Sequence, residues 1–211
     1  GEVSDGMTLL AATRHPATKP AHHKPASPAP KPDPKSTKEA EEVLAKARQL
    51  SAQGKLIEAR KVLNDFLAAD LDNPAAAGPV CEKALELGKK TILGPKVYDN
   101  DPLCRLHRVD AGETFVRLAA RNKIPYQLLL KVNQMDDPRR LMEGQSIKLL
   151  KGPIHLKVIM HDLTMYVFLQ DTLFARYDVG LGKNNKTPTG KWLVDDRIRR
   201  PVYVDPDPPH K

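Results

Sequence analysis

Aromatic side chains are scarce in this sequence, 5% of 211 residues with a single Trp. Nucleic-acid binders concentrate basic residues on one element and interleave them with aromatics. No such stripe occurs here, so nucleic acid is not an expected partner. Long apolar runs are missing as well: nothing approaches the roughly 18 uninterrupted residues of a membrane helix. The chain also lacks a charged-then-apolar opening with a small-residue cleavage site. It starts at Gly1 rather than Met, so a membrane is expected as a partner only through a missing N-terminal anchor. Cysteine is limited to Cys81 and Cys104, which lack Cys-x-x-Cys spacing and form no ligand set with the seven His. Neither a metal nor a cofactor is expected. A Cys81–Cys104 disulfide stays open and would need an exported protein.

Proline and positive charge are plentiful, with 19 Pro and 34 Lys+Arg against 26 Asp+Glu for a net charge of +8. The Pro count argues against one compact core and for several small modules on a tether. Half of the charge excess falls on 91–153, which has 11 Lys+Arg against 7 Asp+Glu, while 36–90 is balanced. A mild excess of this kind favours encounter with an anionic polymer such as a cell wall.

The chain divides by composition. Residues His15–Lys35 carry seven Pro; fixed φ and missing backbone donors exclude helix and ladder there and favour a semi-rigid extended linker. From 36 the composition turns to Ala, Leu, Glu and Lys with apolar spacing near 3.6. Val43, Leu44, Ala47 and Leu50 form one stripe, and Ile57, Ala59, Val62, Leu63, Phe66 and Leu67 a second. Ser36 or Thr37, followed by Glu39, Glu41 and Glu42, suits a helix start. The pattern predicts a helical hairpin over about 37–53 and 55–70, turning at Gly54, and a third helix from about Pro79 to Thr91. Small Ala47, large Leu50, the Gly54 turn, Ala59, Leu63 and Leu67 resemble a tetratricopeptide unit of about one and a half repeats. Such arrays generally need about three repeats, so a packing spacer is preferred to a peptide-binding groove.

Residues 105–151 alternate into a short strand at Leu106–Val109, turn at Asp110–Ala111–Gly112, and enter a helix bearing Phe115, Leu118 and Ala119. A second helix starts at Pro125, carries Leu128, Leu129 and Val132, and stops at Asn133. The Asp136–Asp137–Pro138 loop and a return strand over 144–149 follow. This order, with Gly112–Glu113–Thr114–Phe115 and Leu141-x-x-Gly144–Gln145-x-Ile147, resembles a LysM domain. The resemblance implies a β-α-α-β module that binds N-acetylglucosamine units of peptidoglycan or chitin in a shallow groove between two loops. Carried over by motif position, the groove residues are Ala111, Gly112, Glu113, Thr114 and Phe115 on one loop, and Asn133, Gln134, Met135, Asp136, Asp137 and Pro138 on the other.

Beyond Gly152–Pro153, alternation over 154–160, 163–169 and 173–179 predicts a three-stranded antiparallel meander. Gly182–Lys183 is not followed by Ser or Thr and opens no helix pattern, which excludes a phosphate-binding loop. The strands, Val179–Gly180–Leu181–Gly182–Lys183, and Thr187–Pro188–Thr189–Gly190 before Lys191–Val194 resemble the opening of an L,D-transpeptidase catalytic domain. That resemblance implies cross-linking of peptidoglycan stem peptides through a Cys acyl-enzyme. The family's His-Gly and Ser/Thr-x-Gly-Cys segments do not occur in these residues, so no catalytic residue is assigned and the chain is expected to be inactive as it stands. With few sheet partners, 154–211 is expected to have open strand edges and little core.

The expected architecture is therefore multi-domain α+β: a disordered linker over 1–35, a tetratricopeptide-like helical spacer over 36–95, a LysM module over 105–151, and a partial antiparallel sheet over 154–211. The expected setting is the cell envelope, periplasmic or otherwise extracytoplasmic. The alternative is a non-catalytic peptidoglycan-binding wall protein.

Overall fold

A computed structural model describes residues 34–182 and 187–194. These belong to two compact units, one ending at Asp178 and one from Val179 onward. Most of the linker expected over 1–35, and the Pro-rich end from Pro201, lie outside the described residues.

The first unit begins with three helices, α1 (Pro34–Ala52), α2 (Leu56–Asp70) and α3 (Pro74–Gly88), the last running on into a π-helical turn at Lys89–Leu93. The hairpin falls where the 3.6 period places it. Pro34 and Lys35, read as linker, instead open α1, in keeping with the fitness of Pro for a first helical turn. Ser36 is not a cap: it is buried, and its hydroxyl donates to Asp70 Oδ1 at 3.0 Å. The third helix starts at Pro74 rather than near Pro79, which lies inside it. Pro74 supplies the preset φ of a first turn, and buried Ala76, Ala77, Val80, Cys81 and Ala84 on the following face outweigh the interruption at Pro79. Ala40, Ala47 and Ala59 let the helices approach closely around Leu63, Phe66 and Leu67. Each fully buried Leu or Phe contributes about 1.5–3 kcal/mol.

A two-stranded antiparallel sheet follows: β1 (Cys104–Arg108) pairs with β2 (Ser146–Leu150), with Cys104 opposite Leu150 and Arg108 opposite Ser146. Between them lie α4 (Phe115–Arg121), α5 (Tyr126–Val132) and a short 3-10 turn at Pro138–Arg140. The expected β-α-α-β order is present, within one to two residues at each boundary.

The meander is also present, as β3 (Ile154–Ile159), β4 (Thr164–Leu169) and β5 (Thr172–Asp178) in the order β3-β4-β5. The expectation of little core does not hold for these strands. Alternate side chains of β4 enter different cores: Tyr166 packs with the helices, whereas Val167 and Leu169 pack with the β-α-α-β module. On β5, Leu173 joins the helical core, and Phe174 and Ala175 join the other. The sheet is thus a shared middle layer. Gly88 makes the close approach possible, because a Cβ there would stand 2.3 Å from the Leu173 carbonyl oxygen. Asn64 ties the same layers, accepting from Leu173 N at 2.7 Å while donating to the Arg60 carbonyl.

In the second unit, Thr187 Oγ1 accepts a hydrogen bond from Gly182 N at 2.6 Å. Residues 191–194, which follow the Thr187–Pro188–Thr189–Gly190 segment, have no regular structure, and Leu193 and Val194 are exposed.

Candidate functional site: a loop face on the β-α-α-β module

The first loop is built by the end of the β1–β2 ladder. Val109 N donates to the Gln145 carbonyl at 2.9 Å and Gly144 N to the Val109 carbonyl at 2.8 Å, which holds the base of the turn. Gly112 takes φ +74°, a left-handed conformation that glycine adopts without strain. Thr114 then caps α4, its hydroxyl accepting from Arg117 N at 3.2 Å. The turn leaves Ala111, Gly112 and Thr114 exposed.

Glu113 has another task. Its Oε2 lies 2.6 Å from His107 Nε2 and accepts from Asp110 N at 3.1 Å, and its Oε1 accepts from Arg121 at 3.2 Å. The His107 hydrogen bond, then the Asp110 amide, hold the carboxyl below its usual range. This carboxylate is committed to bracing the turn. Phe115 is fully buried in the module core, which keeps its ring away from any ligand.

The second loop leaves α5 at Asn133. That side chain bridges to β2: Oδ1 accepts from Lys148 N at 2.7 Å, and Nδ2 donates to the Lys148 and Leu129 carbonyls at 2.9 and 2.8 Å. Asn133 therefore pins helix to strand. Gln134, with φ +55°, and Asp136 are exposed, while Met135 and Pro138 are half-buried. Asp137 is held by Arg139, whose side-chain and backbone N–H groups push its carboxyl down to about 2.

Gln145 connects the two loops, a role that the strand-return motif did not disclose. Its carbonyl accepts from Val109, its Oε1 from Met142 N at 3.1 Å, and its Nε2 reaches Met135 Sδ at 3.7 Å. Of the residues assigned from sequence, Ala111, Gly112, Thr114, Gln134, Met135, Asp136 and Pro138 have surface to offer. Phe115, Glu113, Asn133 and Asp137 act within the fold. Exposed loop backbone and polar side chains beside the half-buried Met135 thioether suit a saccharide, which presents both C–H faces and hydroxyl or amide edges.

Residues 107–149 match the LysM domain family. LysM domains generally bind peptidoglycan or chitin and are typical of extracellular and cell-wall proteins. No curated protein and no solved structure matches the chain. Nothing in these comparisons shows an L,D-transpeptidase catalytic domain. Among the described residues, no helix is long and apolar enough to cross a membrane and no His/Cys/Asp/Glu group is arranged to hold a metal.

The LysM strands also carry a buried polar cluster. Arg60 of α2 grips Asp101 through two hydrogen bonds of 2.7 and 3.0 Å and reaches Thr91 Oγ1 at 2.9 Å. Lys148 of β2 is 3% exposed, and its ammonium donates to the carbonyls of Thr91, Gly94 and Lys96 at 2.6–3.0 Å. Burial lowers the Lys148 pKa. At Asp101 burial opposes ionisation, yet the Arg60 and Leu103 hydrogen bonds prevail and hold it below the carboxylate range. Cys104 also donates to Asp101, and burial with the neighbouring Asp101 charge pushes its thiol up to about 12. Cys104 and Cys81 are both unpaired and buried.

Proposed function

We propose that this chain is a peptidoglycan-binding protein that reads N-acetylglucosamine strands through its LysM loops. The observation that carries this is the pair of braced loops in the matched module: Glu113 and Asn133 are tied inward, Gly112, Thr114, Gln134 and Asp136 are exposed, and Met135 is half-exposed between them and the core. Preformed loops lose little conformational entropy on binding. In this reading the helical layer and the meander are a rigid mount for the module, and the setting is the cell envelope, periplasmic or otherwise extracytoplasmic.

A finer proposal joins this module to an L,D-transpeptidase that cross-links stem peptides. What supports it is the antiparallel meander directly after the LysM module, with Leu156, Val158 and Tyr177 left 39–44% exposed as a surface for further structure. No acyl-transfer step is assigned to this chain.

Cosedimentation of the full chain with purified peptidoglycan sacculi tests the binding proposal. The chain is expected in the pellet, and soluble N-acetylglucosamine oligomers are expected to release it. A chain that stays in the supernatant contradicts the proposal.

A further inference from the structure

The second loop and the helical layer are joined at one residue, Lys148. In the β1–β2 ladder Val109 N donates to the Gln145 carbonyl and Lys151 N to the Leu103 carbonyl, so the odd-numbered residues of the return strand turn their backbone groups toward β1. The N–H and C=O of Lys148 therefore point to the opposite edge, where a third strand would lie. The Asn133 side chain takes that strand's place, with bonds of 2.7 and 2.9 Å. Among the described residues, these two bonds and the 3.7 Å contact from Gln145 Nε2 to Met135 Sδ are the hydrogen bonds that join 133–138 to the 144–150 return. Gln134 follows at once with φ +55°, so the course of the loop is set at Asn133.

The Lys148 side chain runs into the helical layer. Its three ammonium N–H groups meet three carbonyls, those of Thr91 at 2.6 Å, Gly94 at 2.7 Å and Lys96 at 3.0 Å, one acceptor for each donor. Thr91 is itself fixed, its hydroxyl donating to the Leu87 carbonyl at 2.7 Å and accepting from Arg60 of α2 at 2.9 Å. The acceptors of this buried ammonium are carbonyls, and the neighbours of Lys148 in the strand, Ile147, Leu149 and Leu150, are buried and apolar. An apolar side chain would be cheaper to bury at such a place. What the ammonium adds is direction: three bonds hold the Lys148 backbone to the helical layer, and two more pass that position to Asn133.

We propose that Lys148 is a positioning residue of the glycan site, through which the helical layer sets the course of the 134–138 loop. The glycan rests on the LysM reading above; the path from Thr91 through Lys148 to Asn133 rests on the hydrogen bonds alone. The layer is then part of what shapes the site.

The test uses the full chain carrying Lys148→Met, which keeps a long side chain and removes its donors. In the ligand-free amide spectrum, 134–138 and the Asn133 side-chain amide are expected to move while 111–114 stay in place. Affinity for an N-acetylglucosamine oligomer is expected to fall about fivefold. Val80→Ala, a core change in the helical cluster, is expected to leave that affinity unaltered. The double variant Lys148→Met/Asn133→Ala is expected to bind as Asn133→Ala does, because both changes cut one path. Additive losses, or a folded Lys148→Met chain with an unmoved 134–138 spectrum and full affinity, overturn the inference. Where Lys148→Met does not fold, the unaltered chain decides: the Lys148 ammonium nitrogen resonance is expected to shift on saturation with oligomer and to stay in place in Asn133→Ala. A resonance indifferent to oligomer overturns the inference. If the unaltered chain binds no oligomer, the glycan reading fails, and the ligand-free spectrum of Lys148→Met alone decides whether the layer sets the loop.

Discussion

Glu113 and Asn133 sit at motif positions that invite a binding role, and both are held by the fold. Replacing Asn133 by Ala removes the acceptor for Lys148 N in the sheet; a buried donor left without a partner costs about 1–3 kcal/mol. Urea denaturation of Asn133→Ala is expected to show that loss. For Glu113 the folded pKa lies below the usual value. The unfolded chain therefore takes up a proton before the folded one does, and the turn's bracing is full above about pH 4.5 and is lost as pH falls through the folded pKa. A side-chain carboxyl NMR titration of Glu113 should give a midpoint below that of a free glutamate. Met135→Ala should weaken oligomer binding about fivefold, a loss of roughly 1 kcal/mol of apolar contact, and should also lower stability modestly, because the half-buried side chain packs against the module core. The thiols follow the same logic of burial. With Cys81 pushed up to about 11 and Cys104 to about 12, neither should react with a thiol reagent at neutral pH until the chain is unfolded.

At the scale of elements, the periods of the sequence located every helix and strand of the LysM module and the meander, because alternation and 3.6-residue spacing are local signals. Helix starts were less legible where proline occurs twice: Pro74 and Pro79 both suit a first turn, and the buried alanines between them decide. The polar cluster was not legible at all. Arg60 and Asp101 are 41 residues apart, and Lys148 and Thr91 57 apart, distances over which a single sequence carries no periodic trace. One local hint existed, since Lys148 interrupts the apolar run Ile147–Leu150 and a lysine in that setting is rarely buried without partners. Arg60→Ala leaves Asp101 buried and unpaired, a change expected to cost about 3–5 kcal/mol. Replacing both partners by apolar residues should cost much less. Chemical denaturation of the single and double variants separates these outcomes.

At the scale of the whole unit, the meander is what the sequence misjudged most. The run Thr164–Leu169 is apolar at nearly every position, the mark of a strand buried on both faces. It reads as a poor one-sided strand only if its module is taken to stand alone. Because β4 and β5 place side chains in both cores, residues 34–178 are expected to unfold in one transition, with amide protons of 164–169 among the slowest to exchange. A separate early melting of 154–178 would show that the strands do not bind the layers together.

The central claim, that the LysM loops hold N-acetylglucosamine strands, is tested most directly by mapping an N-acetylglucosamine oligomer onto the amide spectrum of the full chain. Saturable shifts confined to residues 111–114 and 134–138, with the Gln145 side-chain amide moving alongside them, are predicted. An unchanged spectrum at millimolar oligomer, or shifts elsewhere that spare both loops, would contradict the account.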